Sequence, residues 1–114
     1  MKLIWFISYN LIFYPLIFII GLIFSLFNSK FRQGVAGRFR SQSELKKFFN
    51  SISNTADIYW FHAASLGEFY QVKPVLEGLK NVEPECVTIV SFSSPSGYDN
   101  AKSDDIDLRI YMPF

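Results

Sequence analysis

A chain of 114 residues, half of them hydrophobic and 18% aromatic, with a formal net charge of +1, supports one small domain and no more. Its single cysteine, Cys86, excludes an intrachain disulfide and a Cys-rich metal site, and with one histidine, His62, a structural zinc site fails on ligand count. The near-neutral total hides a split: Asn28 to Ala56 carries Lys30, Arg32, Arg38, Arg40, Lys46 and Lys47 against Glu44 alone, whereas Asp57 to Phe114 carries nine acids to four bases. The basic part has reason to touch something anionic, and the rest need not.

Leu3 to Phe27 is apolar apart from Ser8, Asn10, Pro15, Gly21 and Ser25, and it holds no charge. About 20 apolar residues cross the hydrocarbon core of a bilayer, so the stretch is long enough. A cleaved signal peptide is the competing reading, but bulky Phe24, Leu26 and Phe27 stand where small residues should precede a cleavage site. We therefore read residues 1–27 as a retained anchor, kinked at Pro15, which membrane helices tolerate. Lys2 alone precedes the span and the basic segment follows it, so Asn28 onward is expected on the cytoplasmic side.

Residues 28–56 read as a basic juxtamembrane segment, with Lys30, Arg32, Arg38 and Arg40 placed to contact anionic headgroups or an acceptor phosphate. Phe31, Val35, Phe39, Leu45, Phe48 and Phe49 would dip into the interface. A solvated basic face that only obeys the positive-inside rule is the alternative. Ser41 or Ser43 is expected to cap a helix through Asn50, followed by a polar linker to Thr55.

Ile58 to Phe61 has the look of a strand covered on both faces. Small residues, Ala63, Ala64, Ser65 and Gly67, then make a tight turn, where a ligand or another backbone can approach closely. From Glu68 the apolar positions Phe69, Val72, Val75, Leu76 and Leu79 follow a helical period, ending near Lys80 to Asn81 and kinked at Pro74. Cys86 to Phe92 is a second strand candidate, Ser91 to Gly97 a second polar strand-to-helix turn, and a short polar helix or loop runs through Asp105. Asp107 to Met112 is a third strand. Strand, helix, strand, helix, strand predicts an α/β fold with a parallel sheet and right-handed crossovers, half of a doubly wound sheet.

A carboxylate in the first turn of a helix is favoured in its ionised form by the helix dipole. Glu68 is either that and nothing more, or a general base that takes the proton from an attacking hydroxyl. The hydroxyls and N–H groups of Ser93 to Gly97 suit phosphate, carboxylate or sugar oxygens, with a plain capped turn as the alternative. His62 reads as a satisfied core histidine before it reads as a ligand to an acceptor. Neither a G-x-S-x-G elbow, a G-x-G-x-x-G loop nor a Walker loop occurs.

The run WFHAASLGEFYQVKP (Trp60–Pro74), followed by SFSSPSGY (Ser91–Tyr98), resembles the N-terminal domain of the Kdo transferases, which add 3-deoxy-D-manno-octulosonic acid (Kdo) to the lipid A precursor in lipopolysaccharide biosynthesis. The resemblance covers nearly the whole chain, including the hydrophobic anchor. It implies a Rossmann-like, GT-B type acceptor domain on a single-pass anchor in the inner membrane, facing the cytoplasm. It also implies inverting transfer from CMP-Kdo to lipid IVA, with neither a cofactor nor a metal, and no nucleic-acid partner. Residue by residue, Ser65, Gly67 and Glu68 align on an SxGE motif whose glutamate is the proposed base. Ser94, Pro95, Ser96 and Gly97 match a motif facing the interdomain cleft. Ser65, Gly67, Ser94, Ser96 and Gly97 are therefore candidate substrate contacts, and Glu68 is expected at the end of a central strand, shielded from water by Phe61 and Phe69. The family continues where this sequence reads Tyr111-Met112-Pro113-Phe114. Residues 57–114 are thus expected to be part of the acceptor domain, in a truncated chain, with the nucleotide-sugar domain supplied in cis or in trans. Two other readings stand beside this one: a membrane-anchored binding module without chemistry, and a different GT-B glycosyltransferase acting on a lipid-linked acceptor. The second should show a Gly-rich first loop, which is absent.

Overall fold

The computed structural model describes Met1–Phe114 as two compact units, Met1–Arg32 and Gln33–Phe114. In the first, helix α1 (Lys2–Ser8), a π-helical turn (Tyr9–Phe13) and helix α2 (Tyr14–Phe27) join into one helix. With 26 residues and a mean hydropathy of 2.3, it is long and apolar enough to cross a membrane. The π turn has a local cause. Pro15 has no N–H to give to the fourth residue back and its ring crowds that carbonyl, so the ladder opens just before it and the Tyr14 N–H reaches Tyr9 O instead. Two polar side chains of this helix bond to its own backbone: the Asn10 amide donates to Phe6 O at 2.9 Å and the Ser25 hydroxyl to Leu22 O at 2.6 Å.

Asn28 leaves the helical region at φ −122° and ψ 105°, and its side-chain oxygen accepts the Phe31 N–H at 3.1 Å. It thereby caps helix α3 (Ser29–Ser51). The expected cap at Ser41 or Ser43 is corrected, because a better-placed cap lies upstream and both serines sit inside the helix. Ser41 is buried and donates back to Gly37 O at 2.9 Å.

The second unit holds a three-stranded parallel sheet of order β1 (Ile58–Ala63), β2 (Val87–Phe92), β3 (Leu108–Tyr111). Helix α4 (Leu66–Val82) links the first pair of strands and α5 (Pro95–Asn100) the second. Strand alternation turns Phe61 and Ala63 to the same face as their register partners Val90 and Phe92. That face packs with Phe69 and Leu76 of α4 and with Ala101, flanked by Val72, Tyr98 and Ile106. Each large apolar side chain buried here contributes roughly 1.5–3 kcal/mol.

Two expectations change. First, β1 is an edge strand in this sheet and β2 the central one, and the other face of β1 leaves Ile58 43% and Trp60 45% exposed. Second, residues 33–51 of the basic segment are not a free surface helix. Gly34, Gly37 and Ser41 form a buried stripe on α3 at helical spacing. A Cβ built on Gly37 would lie 2.1 Å from Cδ2 of Tyr111, so only glycine lets α3 rest on that ring. Tyr111 in turn stacks on Tyr98 at 4.3 Å.

Candidate functional site

Both strand-to-helix turns emerge at the edge where the strands end, and the fold presses them together. A Cβ built on Gly97 would stand 2.8 Å from Cδ1 of Phe92 and 3.4 Å from the backbone nitrogen of Leu66, so glycine is what allows α5 to start beside the start of α4. The candidates from the two motifs are thus neighbours in space, but their jobs differ.

Ser65 is the N-cap of α4: its hydroxyl oxygen accepts the Glu68 N–H at 3.3 Å, while Oε2 of Glu68 accepts the Ala64 N–H at 2.7 Å. This is a capping box whose return bond lands one residue earlier than usual. One carboxylate oxygen is therefore fixed by the backbone, and Oε1 of the exposed Glu68 has no partner within the chain. Gly67 leaves the turn bare, since a Cβ there would meet nothing closer than Ser65 Oγ at 3.8 Å. Ser94 caps α5 by accepting the Gly97 N–H at 3.1 Å. Gly97 is buried as a packing position, and Ser96 stands exposed. Among the predicted contacts, Ser65, Gly67 and Ser96 are exposed, Ser65 also capping its turn, whereas Ser94 and Gly97 are partly or fully buried and build the second turn.

The expected shield over Glu68 is corrected. Phe69 is fully buried and lies 5.7 Å from Phe92, ring to ring; Phe61 packs on the same core. Both rings support the turn from beneath and neither covers the carboxylate. The expected central strand under Glu68 is likewise the edge strand β1.

The opposite face of the sheet carries a polar chain at the same edge. Trp60 Nε1 donates to Ser91 Oγ at 2.9 Å, His62 Nδ1 stands 2.9 Å from the same oxygen, and His62 Nε2 stands 3.2 Å from Ser93 Oγ. His62 is satisfied, as expected, yet it is exposed and not in the core. Arg38 donates to Ser93 O at 3.3 Å with its guanidinium 5.6 Å from the Phe114 ring centre, so a base assigned to lipid is seated beside the second turn. Arg40 is exposed, as are Lys30 and Arg32 of the first unit. Sequence reasoning missed Trp60 and Ser91. Their pairing joins residues 31 apart, and no local pattern signals it.

A recess of about 500 Å³ lies at the other end of the strands among Asp57, Glu83, Glu85 and Cys86. It gathers three carboxylates around the Ser53–Thr55 hydroxyl pair and holds no base, which does not suit an anionic nucleotide sugar or a phosphorylated lipid. No three His, Cys, Asp or Glu side chains come together as metal ligands.

Residues 33–114 match the family model described as 3-deoxy-D-manno-octulosonic-acid transferase (kdotransferase). No curated protein and no solved structure matches the chain.

Proposed function

The chain belongs to the family of 3-deoxy-D-manno-octulosonic-acid transferases, and from that premise we propose that it serves the transfer of Kdo from CMP-Kdo to a hydroxyl of the lipid A precursor, lipid IVA, with inversion. A hydroxyl is a poor nucleophile while it keeps its proton. An inverting displacement needs a base within hydrogen-bond reach on the face opposite the leaving nucleotide. The observation that carries the assignment is Glu68: the Ala64 N–H holds one carboxylate oxygen at 2.7 Å, and the other is open to solvent at the strand edge. Orientation is thus fixed in advance and the reacting atom is left free, which is the preorganisation a base requires. Gly67 and Ser96 would lie along the acceptor. Ser65, Ser94 and Gly97 shape the two turns that receive it.

In this reading Lys2–Phe27 is a single-pass anchor in the inner membrane with the following residues in the cytoplasm, where Lys30, Arg32 and Arg40 meet anionic headgroups or acceptor phosphates. The nucleotide sugar is bound by a second GT-B domain, in cis or in trans. No cofactor or metal takes part. The test is incorporation of labelled Kdo into lipid IVA by membranes carrying this chain, with and without a nucleotide-sugar domain. Glu68-dependent transfer supports the proposal, and absence of transfer with every donor domain supplied overturns it. The capping box favours one alternative, a membrane-anchored binding module in which Glu68 only starts α4. That module would bind acceptor equally well with Glu68→Gln and transfer nothing.

A further inference from the structure

The polar chain on the far face of the sheet has a direction that can be derived atom by atom. An indole N–H can only donate, so Ser91 Oγ accepts from Trp60 at 2.9 Å. Ser91 is fully buried and has one hydrogen to give. That hydrogen goes either to His62 Nδ1 at 2.9 Å or to Phe61 O at 3.5 Å, the latter with His62 Nδ1–H donating into the second lone pair of Ser91; the first keeps it on a contact of ordinary length, whereas 3.5 Å is at the limit of a hydrogen bond. His62 Nδ1 is then an acceptor and the ring hydrogen sits on Nε2, which donates to Ser93 Oγ at 3.2 Å. The hydroxyl hydrogen of Ser93 has no acceptor within the chain and is left for something outside it.

Next to it lies a cation without a counter-ion. The one ion pair in the chain joins Lys80 to Asp107, whereas Arg38 gives an N–H to the Ser93 carbonyl and rests over the Phe114 ring. We propose that Ser93 and Arg38 form a recognition point for a phosphate oxyanion, and that Trp60, Ser91 and His62 are positioning residues that turn the Ser93 hydroxyl into an outward donor. A hydroxyl hydrogen of the Ser93 turn and the α3 guanidinium that bonds to the same turn's carbonyl match an acceptor-only anion. Resting on the function proposed above, the oxyanion is a phosphate of the lipid acceptor.

The chain has one histidine and two tryptophans, so ring signals are assigned without ambiguity. Long-range proton–nitrogen spectra of the full chain in zwitterionic bicelles should show the Nε2–H tautomer of His62. Trp60→Phe, on a half-exposed face, and Ser91→Ala should each mix the tautomers while the amide spectrum stays folded. Titration with inorganic phosphate, ionic strength held with chloride, should perturb Ser93 and Arg38. Ser93→Ala should weaken that binding roughly tenfold and Arg38→Gln by at least as much, the scale of charge-assisted hydrogen bonds. Bicelles doped with lipid IVA should give the same Ser93 and Arg38 shifts, whereas phosphatidylglycerol should not; equal shifts with both make it a general headgroup contact and overturn the acceptor assignment. An Nδ1–H tautomer in the parent, or phosphate affinity unchanged in Ser93→Ala, overturns the proposal. None of these readouts uses CMP-Kdo, so a working oxyanion site without Kdo transfer refutes the enzyme reading alone, and transfer without the site refutes this inference alone.

Discussion

The two ends of one small sheet use their polar residues in opposite ways. Where the strands begin, the groups close on one another. Lys80 at the end of α4 meets Asp107 at 2.7 Å, the Thr88 N–H donates to the same carboxylate oxygen at 2.8 Å, and the Asp107 N–H donates to Thr88 O at 3.0 Å. Tyr59 donates to Glu83 at 3.0 Å, and that bond, more than burial, pushes its phenol above the ordinary value. Where the strands end, the count is left open: one oxygen of Glu68 and most of the Arg38 guanidinium have no partner in the chain. Groups that satisfy one another contribute to folding. Groups held in place but unsatisfied are the ones available to a substrate.

Glu68→Gln would break that contrast most sharply. The amide keeps an acceptor for the Ala64 N–H and so keeps the capping box, but it removes the base. In an enzyme containing this domain the transfer rate should fall roughly 10²- to 10⁴-fold, with a stability loss of about 1 kcal/mol or less. Glu77→Gln on the same helix is the control and should leave the rate nearly unchanged. Transfer by Glu68→Gln at close to the parental rate would reduce Glu68 to a helix-start residue.

Gly37→Ala tests whether α3 belongs to the core of the second unit. The added methyl would fall on the Tyr111 ring, 2.1 Å from Cδ2, and no side-chain rotation of alanine relieves it. Either α3 or the ring must shift, at a cost of about 1–3 kcal/mol, partly offset by the better helix propensity of alanine. Amide exchange at Ile110 and Tyr111 should accelerate. Unchanged protection would mean that α3 does not pack as described.

The strand–helix rhythm, both polar turns and the place of Glu68 in the first turn of a helix were legible because each is written in consecutive residues. The edge position of β1 was not. An apolar run such as Ile58-Tyr59-Trp60-Phe61 reads alike whether the outer face is covered or leaves Trp60 half exposed. The buried stripe of α3 was equally hidden, because Gly34, Gly37 and Ser41 carry no apolar signal. What they offer is absence of bulk, which has meaning only once Pro95 and Tyr111 are seen opposite. The seating of Arg38 follows from the same missing piece.

Among the bases that remain exposed, the comparison predicts a surface effect. In a chain lacking Met1 to Phe27, so that the apolar span does not itself insert, replacing Lys30, Arg32 and Arg40 with Gln should weaken association with anionic vesicles by roughly 1 kcal/mol per base, and salt should erase the difference. Equal association with neutral and anionic vesicles would make these bases a solvated face.

The smallest effect is expected at the closed end. Burial works against ionisation of Asp107, yet the Lys80 ammonium and the Thr88 N–H and hydroxyl outweigh it and hold its carboxyl below the ordinary value of 3.8. A depressed carboxyl stabilises the fold in full above its unfolded value, and that contribution is lost as pH falls through the folded one. Asp107 is 37% exposed in its side chain, so solvent screening limits the pair to about 1 kcal/mol or less. Asp107→Asn keeps an acceptor for Thr88 but gives up the charge. Amide exchange at Ile89 and Ile110 should be modestly faster than in the parent at neutral pH, and the gap should close well below 3.8, where the parental carboxyl is itself neutral. A gap of the same size at both pH values would show that the amide disturbs packing and that the charge contributes nothing.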